Sequence, residues 1–287
     1  MTGAPVANWR QIKRMARTVV RRCGRDRFLK TVLKGSMRVG RSWRNPIRGN
    51  LAAAGLREAV GHVIHKLSPD EEVRACVWFV QAPDTPTVTR RQRANYIIKA
   101  GLPDPFVADV LKFDVKAHAD ELIEMVNGLN RSTHVRPTTV LTDGAEIRRM
   151  FVDVLSGLED LLDAAEDSRK AVEQGVGTAL HNAVFEKLIG EAIQELDELS
   201  TRTAIDHHWI DEIEVVEMDA SEITYRVSGT VAVELRYGSG SDVANDIGFR
   251  SSDSYPYEAT VTAASADPIS IDAGDIDLKV DNSSFYG

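Results

Sequence analysis

Ile223-Thr-Tyr-Arg-Val-Ser-Gly-Thr-Val-Ala-Val-Glu-Leu-Arg-Tyr237 alternates large apolar residues with polar or small ones at a period of two. That period places one set of side chains on each face of an extended strand, and a strand patterned this way buries one face. Ile213–Glu217, Tyr257–Ala263 and Ile276–Val280 read as further strands, and Gly238-Ser-Gly-Ser-Asp242 as a turn or loop. Upstream of about Thr203 the period is three to four instead. The chain is therefore predicted to be α+β, mostly helical in its N-terminal and central regions, with a small antiparallel β domain at the C-terminus.

The helical part opens with Trp9, Ile12, Met15, Ala16, Val19, Val20 and Cys23 at three- and four-residue spacing, with Arg and Lys on the other face. Gly24 ends that helix. A second short basic helix carries Phe28, Leu29, Val32 and Leu33, and Gly35, Gly40 and Asn45-Pro46 read as a linker. From about Leu51 to Arg202 the helical pattern returns, first with Leu56, Val60, Val63, Ile64 and Leu67. Ser68, Pro69 and Glu71 read as a capped helix restart. Ala82–Val88 is predicted to be a loop, with Thr89 capping a helix that runs to Ala100. Leu122, Val126 and Leu129 mark a helix that stops before Pro137. Two acidic helices, about Asp143–Glu166 and Ala171–Leu199, read as an antiparallel hairpin.

Charge divides by position. Residues 1–48 hold 14 Lys/Arg and one acid, Asp26. Residues 49–204 hold 17 bases and 25 acids, and residues 205–287 hold 4 bases and 17 acids. The three blocks are the predicted domains: a basic helical arm and linker (1–48), a helical domain with the long hairpin (49–204), and an acidic β domain (205–287). A basic arm seeks polyanions or an acidic surface. Its clustered arginines, Arg14, Arg17, Arg21 and Arg22, suit phosphates. Contact with the chain's own acidic helices, with a protein partner, or with a membrane surface fits the same pattern.

With 43% hydrophobic residues the chain can bury a core. Cys23 and Cys76 have no disulfide-framework or metal-ligand spacing and read as reduced thiols. No apolar run reaches transmembrane length, and Arg and Lys interrupt every apolar stretch at the N-terminus, so no transmembrane segment or secretory leader is predicted. A cytoplasmic location is expected. The arginine-rich start is too poor in serine for a transit peptide.

Several constellations can carry chemistry. Glu58, His62 and His65 share a helix face at metal-ligand spacing, but with no fourth ligand they read as a solvated polar face, and no metal site is assigned. Thr89-Arg-Arg-Gln-Arg93 places Arg90, Arg91 and Arg93 at a helix N-terminus, suited to phosphate. Pairing of these arginines with Asp70, Glu71 and Glu72 fits equally. In Asn130-Arg-Ser-Thr-His134, a continued helix would project Asn127, Arg131 and His134 from one face. His134 can move a proton and Arg131 can hold a phosphate, which suffices for metal-independent RNA cleavage through the 2′-hydroxyl. This pair resembles the motif of HEPN ribonucleases, with only Ser132 and Thr133 between. His134 can instead tie its loop to the helix end. Asp277-Leu-Lys279, with Asp267 upstream, matches the restriction-nuclease pattern in three residues of an acid-rich tail, and reads as coincidence. Gly238-Ser-Gly-Ser lacks the following helix of a phosphate loop, and no nucleophile elbow is present.

Taken together, Asn50-x6-Arg57-Glu58, Leu67-Ser-Pro-Asp-Glu-Glu-Val73, Trp78, Thr89-Arg-Arg-Gln-Arg-x2-Tyr96, Asn130–His134, Gly229–Tyr237 and Ser254-Tyr-Pro-Tyr-Glu258 resemble the predicted pPIWI-associating nucleases. The resemblance spans about residues 45–280. It implies a prokaryotic anti-phage or anti-plasmid setting, a nucleic-acid target, RNA or DNA, and a defence-module protein partner. Arg57, Arg90, Arg91, Arg93 and His134 are the matching polar positions. Two functions stand: a nucleic-acid-binding defence protein with nuclease activity, or a non-catalytic adaptor that binds a partner through its helical hairpin and acidic β domain. No cofactor is identified.

Overall fold

A computed structural model describes residues 7–83, 85–238 and 249–286. The loop at Gly238–Asp242 lies outside the described residues from position 239 onward. The fold is α+β, with helices followed by a four-stranded antiparallel sheet. Two compact units emerge. The first holds residues 1–75, 79–100 and 113–168, and the second holds 76–78, 101–112 and 169–287. The longest run of the second unit begins at residue 169, inside a helix.

In the first unit, α1 (Trp9–Arg22) starts at a capping box. The Asn8 side chain accepts from the Arg10 and Gln11 amides, and Gln11 accepts from the Asn8 amide. Its stripe of Ile12, Ala16 and Val19 is buried. Gly24, at φ +72°, and Arg25, at φ +56°, turn the chain into α2 (Arg27–Gly40), which Asp26 caps. Gly35 is inside α2 and not in a linker, because one helical glycine costs only about 1 kcal/mol and Leu29, Leu33, Ser36 and Gly40 bury the face around it. These two helices pack into the helical core. Their apolar stripes join one core with α3 (Arg48–Leu67), α5 (Arg90–Lys99), α6 (Val115–Thr133) and the first part of α7 (Gly144–Gly175); the short α4 (Asp70–Ala75) lies between α3 and α5 in the chain. Trp9 meets Phe151 of α7 edge-on at 5.3 Å.

Ser68 does not cap α4. Its hydroxyl donates to the Ile64 carbonyl at 2.6 Å and finishes α3. Thr89 does cap α5, in a reciprocal box with Gln92. The two acidic stretches form no hairpin at residues 167–170: these residues continue α7, because Asp-Ser-Arg-Lys contains no helix breaker. The break comes at Val176, between Gly175 and Gly177, and α8 (Gly177–Gly190) follows.

In the second unit, the sheet is a meander of β1 (Arg202–Met218), β2 (Glu222–Tyr237), β3 (Phe249–Ala264) and β4 (Ile276–Val280). Ile223, Tyr225, Val227, Val231, Val233 and Leu235 of β2 are buried on one face, as the alternation requires. Tyr255, Tyr257, Ala259 and Val261 of β3 continue that face. Helix α8 packs on β1 with Leu180, Ala183, Val184 and Leu188 buried, and the single-turn α9 (Gln194–Asp197) adds Leu196. Strand β1 begins well before Ile213. Three register shifts, at 205/207, 210/212 and 215/217, break its alternation and hide the strand from a period-two reading. Gly229 is needed opposite β1: a Cβ there would lie 2.1 Å from the Trp209 carbonyl and 2.5 Å from the Tyr257 hydroxyl.

Candidate nucleic-acid interface

Helices α1 and α2 run back to back, because the turn at Gly24 returns the chain and Arg41, just past α2, donates to the Trp9 carbonyl at 3.4 Å and lies over the Trp9 ring at 4.9 Å. Between them runs a cavity of about 720 Å³. Lys13, Arg17, Arg21 and Arg25 line one side, and Lys30, Lys34, Arg38 and Arg41 the other. Ala16, Val20, Leu33 and Met37 form its floor, and among the described residues no acid lines it. Among the described residues the first seven of these cations have no ion-pair partner. The arrangement follows from spacing. Residues four apart on a helix share a face about 6 Å apart along the axis, and 13/17/21 and 30/34/38 repeat at that interval.

Of the arginines singled out from sequence, Arg17 and Arg21 lie in this groove. Arg14 is exposed on α1 outside it. Arg22 turns to α7, where it pairs with Asp163 at 2.5 Å and Glu166 at 2.7 Å, and donates to the Glu159 carbonyl. The internal contact with acidic helices, one of the alternatives for the basic segment, thus describes Arg22. Five of the six other groove cations, Lys13, Arg25, Lys30, Lys34 and Arg38, carry a readable signal, the four-residue repeat 13/17/21/25 and 30/34/38.

Arg57 pairs with Glu58 at 3.0 Å on the surface of α3. At the start of α5, Arg93 is buried, donates to the Ser68 carbonyl at 2.5 Å and pairs with Asp70. It ties the end of α3 to the start of α4. Arg91 pairs with Asp120 of α6, and Arg90 is exposed. These three arginines, with His65, Thr87, Thr89 and Asn127, line a second cavity of about 630 Å³. Burial, with Arg93 and Arg90 nearby, pushes the His65 pKa down. Replacing Arg93 by Ala removes a buried donor and strands the Ser68 carbonyl, so we expect a loss of about 2–3 kcal/mol. Arg91→Ala should cost under about 1 kcal/mol, since its pair is half exposed. Urea midpoints of the two variants check this contrast.

Arg131 is exposed in the last turn of α6, one turn beyond Asn127. The helix does not continue to His134, which adopts an extended conformation (φ −85°, ψ 123°) as its C-cap. Its imidazole is exposed and has no hydrogen-bond partner among the described residues. Its backbone, though, is held: buried Asn50 donates to the Ser132 and Thr139 carbonyls at 2.9 and 2.8 Å, more weakly to that of His134, and accepts from the Leu141 amide. Asn50 thereby shapes the loop that presents His134.

The trio Glu58, His62 and His65 does not converge. Glu58 meets Arg57, His62 lies 3.1 Å from Asp26, and His65 faces the α5 cavity. Lys66, the Leu29 amide and His62 hold Asp26 far below the usual carboxylate pKa. Among the described residues no three His, Cys, Asp or Glu side chains gather as metal ligands. Asp277 and Lys279 lie exposed on β4, opposite Thr260 and Glu258, with Asp267 in the turn after β3.

Sequence reading passed over His208. It is 4% exposed, its Nδ1 lies 3.0 Å from the Tyr257 hydroxyl and its Nε2 3.1 Å from the His181 carbonyl, and the His181 ring stacks on it at 4.2 Å. Burial, then His181, lowers its pKa. The fold rejects a proton that the unfolded chain accepts. The contribution of His208 is therefore full above the ordinary value of about 6.5 and falls as pH drops below it. Melting temperature should drop between pH 7.5 and 5.5, and drop less in His208→Gln; equal drops would contradict this.

An α+β protein whose helical unit carries a cationic groove is equipped to meet a polyanion. The chain belongs to the predicted pPIWI-associating nucleases: residues 22–158 match one model of that description and residues 165–286 match another. The match starts further toward the N-terminus than the stretches read from sequence, and takes in α2. The HEPN likeness of Arg131 and His134 finds no support in these matches. No curated protein and no solved structure matches the chain. Among the described residues no helix is long and apolar enough to cross a membrane.

Proposed function

We propose that this protein is a cytoplasmic, nucleic-acid-binding component of a prokaryotic defence system that grips phosphates in the α1/α2 groove and cleaves the phosphodiester chain. The observation that carries the binding step is the groove itself: eight cations, an apolar floor and, among the described residues, no acid. Aligned ammonium and guanidinium groups displace counterions from a phosphate chain, which gives affinity without base reading. The family description supports cleavage as the reaction. Arg131 and His134 are the reacting pair in this reading, with Arg131 on the phosphate and His134 moving the proton. Arg90, exposed at the start of α5, is the remaining phosphate contact there. RNA or DNA, and any metal requirement, are decided by incubating the protein with labelled strands of each, with and without divalent cation.

A second reading has its own observation. Among the described residues the His134 imidazole has no hydrogen-bonded orienting group of the kind a general base normally has. In the adaptor reading the groove docks nucleic acid, and a defence-module protein binds elsewhere on the chain. Tight binding with no cleavage of any labelled strand supports the adaptor.

A further inference from the structure

We propose that the α1/α2 groove accepts a single strand of nucleic acid and that Trp43 stacks on one of its bases; this inference rests on the binding function proposed above. A pair of packed helices does not fit inside a duplex groove. Two packed helices are about 8–10 Å apart between axes and together about 20 Å across, whereas the major groove, about 12 Å wide, admits one helix. A duplex resting on the outside would lay one backbone on the groove and keep its bases paired and stacked away from the apolar floor. One extended strand lying along the floor reaches both cation rows and the floor. Its phosphates meet Lys13, Arg17 and Arg21 on one side and Lys30, Lys34 and Arg38 on the other, at steps of about 6 Å. Its sugars and base edges meet Ala16, Val20, Leu33 and Met37.

Trp43 supplies what the floor lacks, a flat aromatic face. It is 74% exposed, unusual for so large an apolar side chain, and the Arg44 guanidinium lies over its ring at 5.0 Å. It stands two residues after Arg41, which lines the groove, so its backbone lies within about 7 Å of that end. Cations along a track with an aromatic platform are the two parts that bind single strands without regard to sequence. The platform is selective for strand form, because a paired base offers no free face.

The test measures fluorescence anisotropy of a labelled 20-nucleotide strand, as DNA and as RNA, and of the same sequence as a duplex, against the full chain. The single strand is expected to bind about tenfold or more tightly than the duplex at equal salt. Trp43→Ala should weaken single-strand binding about tenfold and leave duplex binding unchanged, and Trp43→Phe should restore most of the loss. Equal affinity for both forms, with Trp43→Ala silent, overturns the single-strand inference and leaves the binding function standing. Binding of neither form overturns both.

Discussion

Reversing three groove cations together, Arg17→Glu, Arg21→Glu and Lys34→Glu, is expected to weaken nucleic-acid binding by about 10³-fold near 0.1 M salt. Each reversal removes an attraction and adds a repulsion, and electrostatics supplies nearly all of sequence-independent affinity. The three side chains are exposed and make no ion pair among the described residues, so the core should survive. Arg57→Glu is the matched control, because Arg57 lies outside the groove and already pairs with Glu58. Arg22→Glu is a different experiment. It would set three carboxylates together beside α7, and its effect should appear in stability. A triple variant that binds as tightly as the unaltered chain would place the interface elsewhere.

His134→Ala is expected to lower strand cleavage about 10²–10⁴-fold while leaving binding and folding intact, if the exposed imidazole moves the proton. Folding should survive because the structural anchor of this loop is Asn50, which holds the backbone and not the ring. Arg131→Ala should lower cleavage with a smaller change in binding, since a group that meets developing charge acts in the transition state. Single-turnover rates on labelled RNA and DNA separate the two effects. Full activity in folded His134→Ala removes the Arg131/His134 reading. Activity that vanishes on chelation, with His134 dispensable, redirects the search to acidic and histidine side chains.

Much of the fold was legible because burial imposes a period. Ile223–Tyr237 announced a strand with one buried face, and Ile12, Ala16 and Val19 announced a helix that packs. Thr89 announced the start of a helix. What escaped had a physical reason in each case. Strand β1 carries three bulges, each of which flips the alternation. Ser68 has the composition of a helix N-cap, but its hydroxyl bonds back to the Ile64 carbonyl of the preceding helix. Asp167–Lys170 looked like a turn by polarity, yet contains nothing that stops a helix.

The candidate site was legible in charge but not in geometry. Fourteen cations in the first 48 residues named a basic surface. Which cations face a groove and which pair internally depends on α7, whose acids take Arg22, and that contact spans 141 positions of sequence. Arg93 read equally as a phosphate ligand, because it opens a helix, and as a partner of the acids at 70–72, of which Asp70 is the one it meets. Its burial against Ser68 and Asp70 is a tertiary fact that the string Arg-Arg-Gln-Arg does not contain.

The central claim is that the α1/α2 groove binds a phosphate chain, and salt dependence tests it most directly. Affinity for a single strand, measured across a range of salt concentrations, should give a log–log slope of about −5.6 if all eight groove cations engage phosphates at about 0.7 per contact. The triple reversal should flatten that slope by about 2. A slope near zero, or a slope the reversal leaves unchanged, would contradict the claim.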